Sequence, residues 1–293
     1  MWPRNRSILI AASVALVLAI PSLAWWLRWR DLPEQKVPRL LHELRDKPGR
    51  MEFSVRSLHA RSPEAIHADL DNLGESAVPA LIAALADVGE EYPTVRNLAA
   101  EQLGKLHDPR AVESLICCLQ EKPIRVHFAV MALGEIGGAR AVDALIASLK
   151  DKNDGNQVYD DRVLAVRALA KIGDKQAFDP LLRLLDDEEV KKQERQTHGR
   201  EVASLRAEAA EGMGSLGDVR AFDVLLRILE SEEDPRVRTG AAKALGQLGD
   251  RRAIPELTKA AEGPLRLINP QEGMAEWGKL QREAKEALNR LQR

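Results

Sequence analysis

One ten-residue phrase occurs five times between residues 103 and 254. It reads LGKLHDPRAV, LGEIGGARAV, LAKIGDKQAF, MGSLGDVRAF and LGQLGDRRAI, starting at residues 103, 133, 169, 213 and 245. Self-similarity at this period predicts a stack of helical repeats, because one short unit cannot bury its apolar face alone and must pack on its neighbours. The phrase therefore constrains the fold strongly and the function weakly, since unrelated functions share such scaffolds.

Each repeat reads as a pair of amphipathic helices. In residues 220–249 the first helix places apolar side chains at i, i+3, i+4 and i+7, at Phe222, Leu225, Leu226 and Leu229. Asp234 followed by Pro235 predicts an N-cap and a first helical proline for the second helix. Gly249 predicts the end of that helix, and Asp250 the cap of the next one.

The spacing between repeats is more regular than the spacing within them. Seven residues always separate the second position of the phrase from the alanine that opens the next pair, as from Gly214 to Ala221. Within a pair, the corresponding distances are 23, 29 and 37 residues for Ala111–Gly134, Ala141–Ala170 and Ala177–Gly214. The extra length is therefore predicted in the turn between the two helices, along one edge of the stack. Insertions collected on one edge often mark the binding side of a repeat protein.

These units resemble HEAT repeats, specifically the short HEAT-like repeats found in phycobilisome lyases and many bacterial proteins. The residues that carry the resemblance are DPRAVESLICCL, RAVDALIASL, DPRVRTGAAKALGQLGDRRAIPEL and the Val/Leu-Arg pairs at 95–96, 205–206 and 237–238. The resemblance covers roughly residues 62–293. It implies an all-α fold, an α-α superhelix of the ARM/HEAT-like solenoid type.

Three segments are predicted along the chain. Residues 1–30 form an N-terminal membrane anchor or signal peptide, residues 31–75 a linker with a degenerate leading helical unit, and residues 76–293 the solenoid. About six helix pairs are expected in the solenoid, opening at Ala77, Ala111, Ala141, Ala177, Ala221 and Ala253.

The N-terminal apolar run, residues 7–27, is long enough to span a bilayer and is flanked by arginines on both sides. The alternative is a cleaved signal peptide, with Pro21 breaking its helix and a cut after Ala24. We expect a retained single-pass anchor that places the solenoid outside the cytoplasm. The Lys and Arg residues that follow the run favour the opposite, cytoplasmic side.

The sequence contains little that predicts catalysis, and no cofactor or metal is expected. None of the six histidines pairs with another at helical spacing, and HExxH and CxxC motifs are absent. The HEAT-like di-iron hydroxylase of deoxyhypusine would require His-Glu pairs on several second helices, which this chain lacks. The adjacent Cys117 and Cys118 take the places of Ala147 and Ser148 in the next repeat and read as small packing residues.

Two surfaces are candidates for binding a partner. One is the outward face of the second helices, where charges of both signs alternate and aromatic residues are missing; with a net charge of −2, this argues against nucleic acid. The other is the edge formed by the neighbouring long turns at 150–161 and 186–201. The predicted partner-binding residues are Tyr159, Glu101, Arg167, Glu211, Lys243, Lys192, Arg195 and His198.

The function predicted from these features is that of a membrane-tethered, non-catalytic scaffold that binds another protein, of unspecified identity. The alternative is a chromophore lyase or related enzyme, as the resemblance to phycobilisome lyases implies. A third reading is a structural spacer in an envelope assembly.

Overall fold

The computed structural model describes residues 32–45, 63–86, 93–120, 127–150, 161–196, 204–232, 234–262 and 274–292. Throughout these ranges the regular structure is helical, and no strand is formed in them. The described chain divides into two compact units between Ser114 and Leu115. The prediction of an all-α fold is therefore confirmed.

The first unit is built from short helices around a leucine-rich core. Its helices are α1 (Pro33–Arg45), α2 (Pro63–Leu73), α3 (Val78–Ala86) and α4 (Pro93–Leu106), and α5 (Val112–Gln120) carries the boundary to the second unit. Leu40, Leu41, Leu81 and Leu103 are fully buried. Helices α1 and α2 occupy much of the segment for which a degenerate leading pair is predicted.

The second unit stacks helix pairs in chain order. Its helices are α6 (His127–Ile136), α7 (Ala139–Ser148), α8 (Asp161–Ile172), α9 (Phe178–Asp186), α10 (Glu188–Gln196), α11 (Leu205–Ser215), α12 (Ala221–Ser231), α13 (Pro235–Leu248), α14 (Ile254–Glu262) and α15 (Met274–Gln292). The second helices of successive pairs, α6, α8, α11, α13 and α15, pack each on the next. Helix α10 is an addition to this plan and lies inside the longest of the predicted turns.

Most turns between repeats share one construction, a left-handed residue followed by a capping aspartate. The turn at Gly137–Gly138 differs, because a second left-handed glycine takes the place of the aspartate. Gly217 and Gly249 leave their helices with φ of +61° and +75°, in the left-handed region that glycine adopts without a steric cost. The aspartate that follows, Asp218 or Asp250, accepts a hydrogen bond from the backbone N–H two residues later, at 3.0 and 2.9 Å. In the first copy of the phrase, His107 with a φ of +51° takes the place of the glycine. The predicted aspartate caps are thus confirmed.

The prediction of a single-pass N-terminal membrane anchor is wrong. Within the described ranges, no helix combines the length and the apolar character needed to cross a bilayer. Even α15, with 19 residues, carries charged side chains along its length, whereas a spanning helix needs about 20 predominantly apolar residues. Residues 7–27, on which the prediction depended, lie outside the described residues. The predicted location of the solenoid outside the cytoplasm was inferred from this anchor and therefore loses its basis.

Candidate functional site

Four of the predicted partner-binding residues lie on second helices, and all four form ion pairs. In the first unit, the Lys105 ammonium lies 2.9 Å from the Glu101 carboxylate, one turn earlier on α4. In the second unit, Arg167, Glu211 and Lys243 each pair with a residue of the neighbouring second helix rather than of their own. These four predicted binding residues therefore already interact with side chains of this chain.

These pairs form a ladder that joins successive repeats of the second unit. Its three rungs between second helices are Glu135–Lys171, Arg167–Glu208 and Glu211–Lys243. The Arg167 rung is bidentate, with Nε and Nη2 donating to the two Glu208 oxygens at 3.0 and 2.5 Å. Each rung is solvent-exposed and contributes about 0.2–1 kcal/mol. The charges that alternate in sign from one second helix to the next thus lie opposite each other when these helices stack.

Met131 gives this face its exposed apolar side chain. It lies on α6 in the column that Arg167, Glu211 and Lys243 continue, and half of its surface, 51%, is exposed. A single exposed methionine is common on protein surfaces and does not by itself mark a binding site.

Helix α10 turns the longest predicted turn into an ordered element. Asp187 caps it by accepting from the backbone N–H groups of Glu189 and Val190, at 2.9 and 3.3 Å. Val190 is buried, and Lys192 is exposed. Arg195 belongs to the helix, but its side chain lies outside the described residues, as do Tyr159 and His198 altogether. Of the predicted edge residues, Lys192 is thus placed on the surface of α10.

A buried polar network fastens α10 to α9 and α11, the two helices of its own repeat. Glu194, only 9% exposed, accepts through Oε1 from the Ser204 hydroxyl at 2.8 Å and from the Arg206 backbone N–H at 3.1 Å. The Arg206 guanidinium, also buried, donates to the Leu185 carbonyl at 3.0 Å and pairs with Glu232. Because Ser204 is itself the N-cap of α11, the same carboxylate that holds α10 supports the start of the next helix.

Sequence reasoning missed this network, although one signal for it was present. The arginine of the Val/Leu-Arg pairs has a recurring role: Arg238 donates from Nε to the Leu229 carbonyl at 2.9 Å, just as Arg206 donates to Leu185. In both repeats the arginine satisfies a carbonyl near the C-terminal end of the preceding helix of the pair. The recurrence of the pair could have predicted this capping role, but not the buried partner on α10.

The Asp-x-Arg turns between repeats pair each aspartate with the arginine two residues later. Arg220 donates from Nε and Nη2 to the Asp218 carboxylate and stacks over the Phe178 ring of the previous repeat, 4.1 Å from its centroid. The Arg220 guanidinium lowers the pKa of Asp218 to about 2. Arg252 repeats this arrangement one repeat later, over Phe222 at 4.3 Å.

We expect this coupling to make stability depend on acid pH. Since the pKa of Asp218 is lower in the folded protein, its carboxylate stabilises the fold above about pH 4, and the contribution is lost as pH falls towards about 2. D218N retains a capping oxygen but loses the charge. The difference in urea midpoint between wild type and D218N should therefore be largest near pH 6 and shrink between pH 4 and pH 2.

The control for this prediction is D143N, because Asp143 is an exposed aspartate on α7 without a hydrogen-bond or ion-pair partner among the described residues. It should show no comparable difference from wild type. A D218N midpoint that tracks wild type at every pH would contradict the role assigned to Asp218.

The described thiols and imidazoles do not form a cluster. Cys117 is exposed, Cys118 is half-buried, and both are free thiols. The Nδ1 of His67 lies 2.8 Å from the amide nitrogen of the buried Gln102. In the described part of the chain, no group of three or more His, Cys, Asp or Glu side chains is arranged to hold a metal ion.

Comparison with known proteins identifies the repeats. The family model described as HEAT repeats matches residues 78–158 and 196–267, together more than half of the chain. The model described as PBS lyase HEAT-like repeat matches residues 161–187, which lie between those two ranges. No curated protein matches the sequence.

Solved structures with similarity to the chain include two helical repeat proteins. The complex of CpcE and CpcF of phycocyanin lyase from Nostoc matches with a TM-score of 0.43 and 20% identity, over 84% of this chain and 97% of that one. Human deoxyhypusine hydroxylase in complex with glycerol matches with a TM-score of 0.32 and 20% identity, over 89% of this chain and 97% of that one. The matched family models, together with the stacked helix pairs, show that the chain belongs to the HEAT-repeat family.

Proposed function

We propose that this protein is a non-catalytic scaffold that binds another protein along the long-turn edge of its repeats. HEAT repeats typically mediate interactions between proteins. The long-turn edge is defined here by α10 and by the C-terminal ends of α12 and α14, where the first helix of a pair gives way to the second.

The observation that supports this proposal most directly is the way in which α10 is held. Burying a carboxylate and a guanidinium costs desolvation energy that an apolar contact would avoid. Glu194 of α10 and Arg206 of α11 are nevertheless both buried where these two helices meet, and they fix the orientation of α10 on the repeat. A surface that is ordered before it meets a partner loses less conformational entropy on binding. A fixed helix with exposed Glu188, Glu189 and Lys192 fits this role.

Among the described residues, Glu188 is the one of the three exposed α10 side chains that forms an ion pair, with Lys191 at 2.8 Å. The second-helix face is more fully engaged. Its charges pair with one another across repeats, so a partner that used Arg167, Glu211 or Lys243 would compete with an existing ion pair. Exposed ion pairs are weak enough for a partner's charge to replace one member. We therefore keep these residues as proposed contacts, after those of α10.

The test is capture of partners by the full chain, with a proximity label fused after Arg293. The edge variant E188A/E189A/K192A changes only exposed side chains of α10 and leaves Val190 and Glu194 in place. We expect it to reduce labelling of the principal neighbours about tenfold, as the loss of a central group of contacts does at other interfaces.

The matched control is the exchange E211K/K243E, which keeps the ion pair and reverses its direction. It should fold like wild type and retain the labelled neighbours. Loss of the neighbours in the exchange variant but not in the edge variant would move the binding surface to the second-helix face. Neighbours that survive both changes would contradict the edge proposal.

A second candidate function is a lyase-like activity on a linear tetrapyrrole. The match of residues 161–187 to the PBS lyase HEAT-like repeat favours it, and Cys117 offers an exposed thiol. Purified protein incubated with a bilin and then desalted would retain visible absorbance if this candidate is correct. A colourless protein after desalting supports the scaffold.

A further inference from the structure

A pocket of about 490 Å³ lies at the long-turn edge of the last two repeats. Its floor is apolar and consists of Leu229 near the end of α12, Ala260 on α14 and the Trp277 indole in the first turn of α15. The pocket therefore forms where the C-terminal ends of two first helices meet the start of the last helix. Its volume is sufficient for one or two side chains.

The rim of the pocket is rich in carboxylates. Glu230 on α12 and Glu256 and Glu262 on α14 line it, and they face two cations, Arg238 and Lys259. Both cations are already engaged: Lys259 pairs with Glu256 at 2.5 Å, and Arg238 donates to the Leu229 carbonyl and stacks on Trp277 at 4.9 Å. Both cations of the pocket thus interact with residues that line the same pocket.

Two of the rim carboxylates have no such partner among the described residues. Within those ranges, neither Glu230 nor Glu262 forms a hydrogen bond or an ion pair. Glu230 acts on Lys259 only at longer range, where it adds to Glu256 in raising the pKa of that ammonium. Each of these two carboxylates also lies in the last turn of its helix, where the helix dipole is negative and a cation is the stabilising choice. A cation supplied from outside would relieve both.

We propose that this pocket binds a basic segment of a partner protein, in which a Lys or Arg side chain lies beside an apolar one. The cation would reach Glu230 and Glu262, and the apolar side chain would lie on the floor at Trp277. The inference rests on the proposed scaffold function and names the chemistry of the partner. Successive repeats supply the two carboxylates, so the geometry of the pocket depends on the stacking of α12 on α14.

The test uses the full chain and a fluorescein-labelled peptide of the sequence Lys-Leu-Lys-Ser repeated twice, with anisotropy measured at low and high salt. Two further peptides replace every Lys by Glu or every Leu by Ser. We expect the first peptide to bind best and its binding to weaken with salt, because the carboxylates are exposed to solvent.

The decisive variants are E230Q/E262Q and the control D71N/D143N, which removes the same number of charges from exposed sites outside the pocket and outside the long-turn edge. Asp71 lies in the last turn of α2, as Glu262 does in α14. The pocket variant should bind the Lys-Leu peptide about five- to tenfold more weakly, and the control within about twofold of wild type.

Equal losses of affinity in the two variants would show that the peptide responds only to the overall negative charge of the surface, which would overturn the proposal. Failure of the Lys-Leu peptide to bind would overturn it too. Equal affinity of the Glu-containing peptide would overturn it as well. The result is distinguishable from failure of the scaffold function. If E230Q/E262Q retains every neighbour found by proximity labelling and binds no peptide differently, the scaffold stands and the pocket proposal fails.

Discussion

Replacing Gly214 by alanine is expected to lower the free energy of unfolding by about 2–3 kcal/mol, in spite of the better helix propensity of alanine. Gly214 lies on α11 directly against α13. A Cβ atom at this position would lie 2.5 Å from the Ala244 Cα and 2.6 Å from the Ala244 Cβ. Since one of these atoms belongs to the backbone, the clash cannot be relieved by rotating a side chain, and the two helices must move apart. Urea denaturation followed by circular dichroism measures the loss.

The control for this prediction is Gly278, a helical glycine of α15 at which an added Cβ atom would have no described neighbour within 4 Å. G278A should stabilise the protein by about 0.5–1 kcal/mol, which is the ordinary gain from replacing a helical glycine. G214A at or above wild-type stability would show that α11 and α13 do not approach as closely as the structure has them. Equal losses in both variants would show that the effect is not one of contact.

The same close approach recurs at other repeats, which explains why one destabilised contact should matter to the whole stack. Gly134 meets Ala168, and Gly246 meets Ala287, through the same position of the repeated phrase. In a repeat protein, stability is the sum of weak units and strong interfaces between neighbours. G214A therefore weakens the interaction between two neighbouring repeats. We expect its unfolding transition to broaden, because the repeats on either side of α11 then unfold less cooperatively.

The sequence predicts the parts of this fold that depend on local patterns. Helix pairs, aspartate caps such as Asp234 and the end of α13 at Gly249 follow from apolar periodicity and from residues with one conformational preference. Contacts between helices were harder to predict. The glycine of the repeated phrase marks the turn in the sequence, but its close contact with the next second helix requires the register of the stack.

The candidate site was predicted less completely, for the same physical reason. Alternating charges on the second helices suggested a surface for a partner, and only the stacking shows that Arg167 faces Glu208. The long turn at 186–201 was singled out by its length and charge. Nothing local indicates that Glu194 is buried, because its partners Ser204 and Arg206 come from the next helix. The anchor prediction, which depended on one apolar run, is wrong because no helix of the described ranges is long and apolar enough to cross a bilayer.

Replacing Arg206 by methionine should have the largest effect of the charge substitutions, a loss of about 3–5 kcal/mol, because it leaves the buried Glu194 carboxylate and the partly buried Glu232 carboxylate without their cation. Glu194 and Glu232 would lose the guanidinium, and the Leu185 carbonyl would lose its donor. R206K should recover only part of the loss, since one ammonium cannot reproduce the planar fork that serves several acceptors at once. Equilibrium unfolding in urea gives the three values.

The comparison that isolates burial is R167M. Arg167 also holds a carboxylate, that of Glu208, but 55% of its side chain is exposed, against 7% for Arg206. Losing an exposed pair costs under about 1 kcal/mol. If R206M and R167M destabilise the protein equally, the network around Glu194 is no stronger than a surface ion pair.

The location of the loss matters as much as its size, because Arg206 joins α10 to the repeat stack. Hydrogen exchange of R206M should show faster exchange throughout residues 188–196, since the buried Glu194 loses the guanidinium and keeps the hydrogen bonds from the Ser204 hydroxyl and the backbone N–H of residue 206. Exchange in α6, two repeats away, should change less, because coupling in a repeat stack runs between neighbours. Should the stability fall while α10 exchanges as in wild type, Arg206 would serve only the C-terminal ends of α9 and α12, through Leu185 and Glu232. A helix that is not fastened by this network would offer no preformed surface, and the proposal that α10 leads the contact with a partner would lose its physical basis.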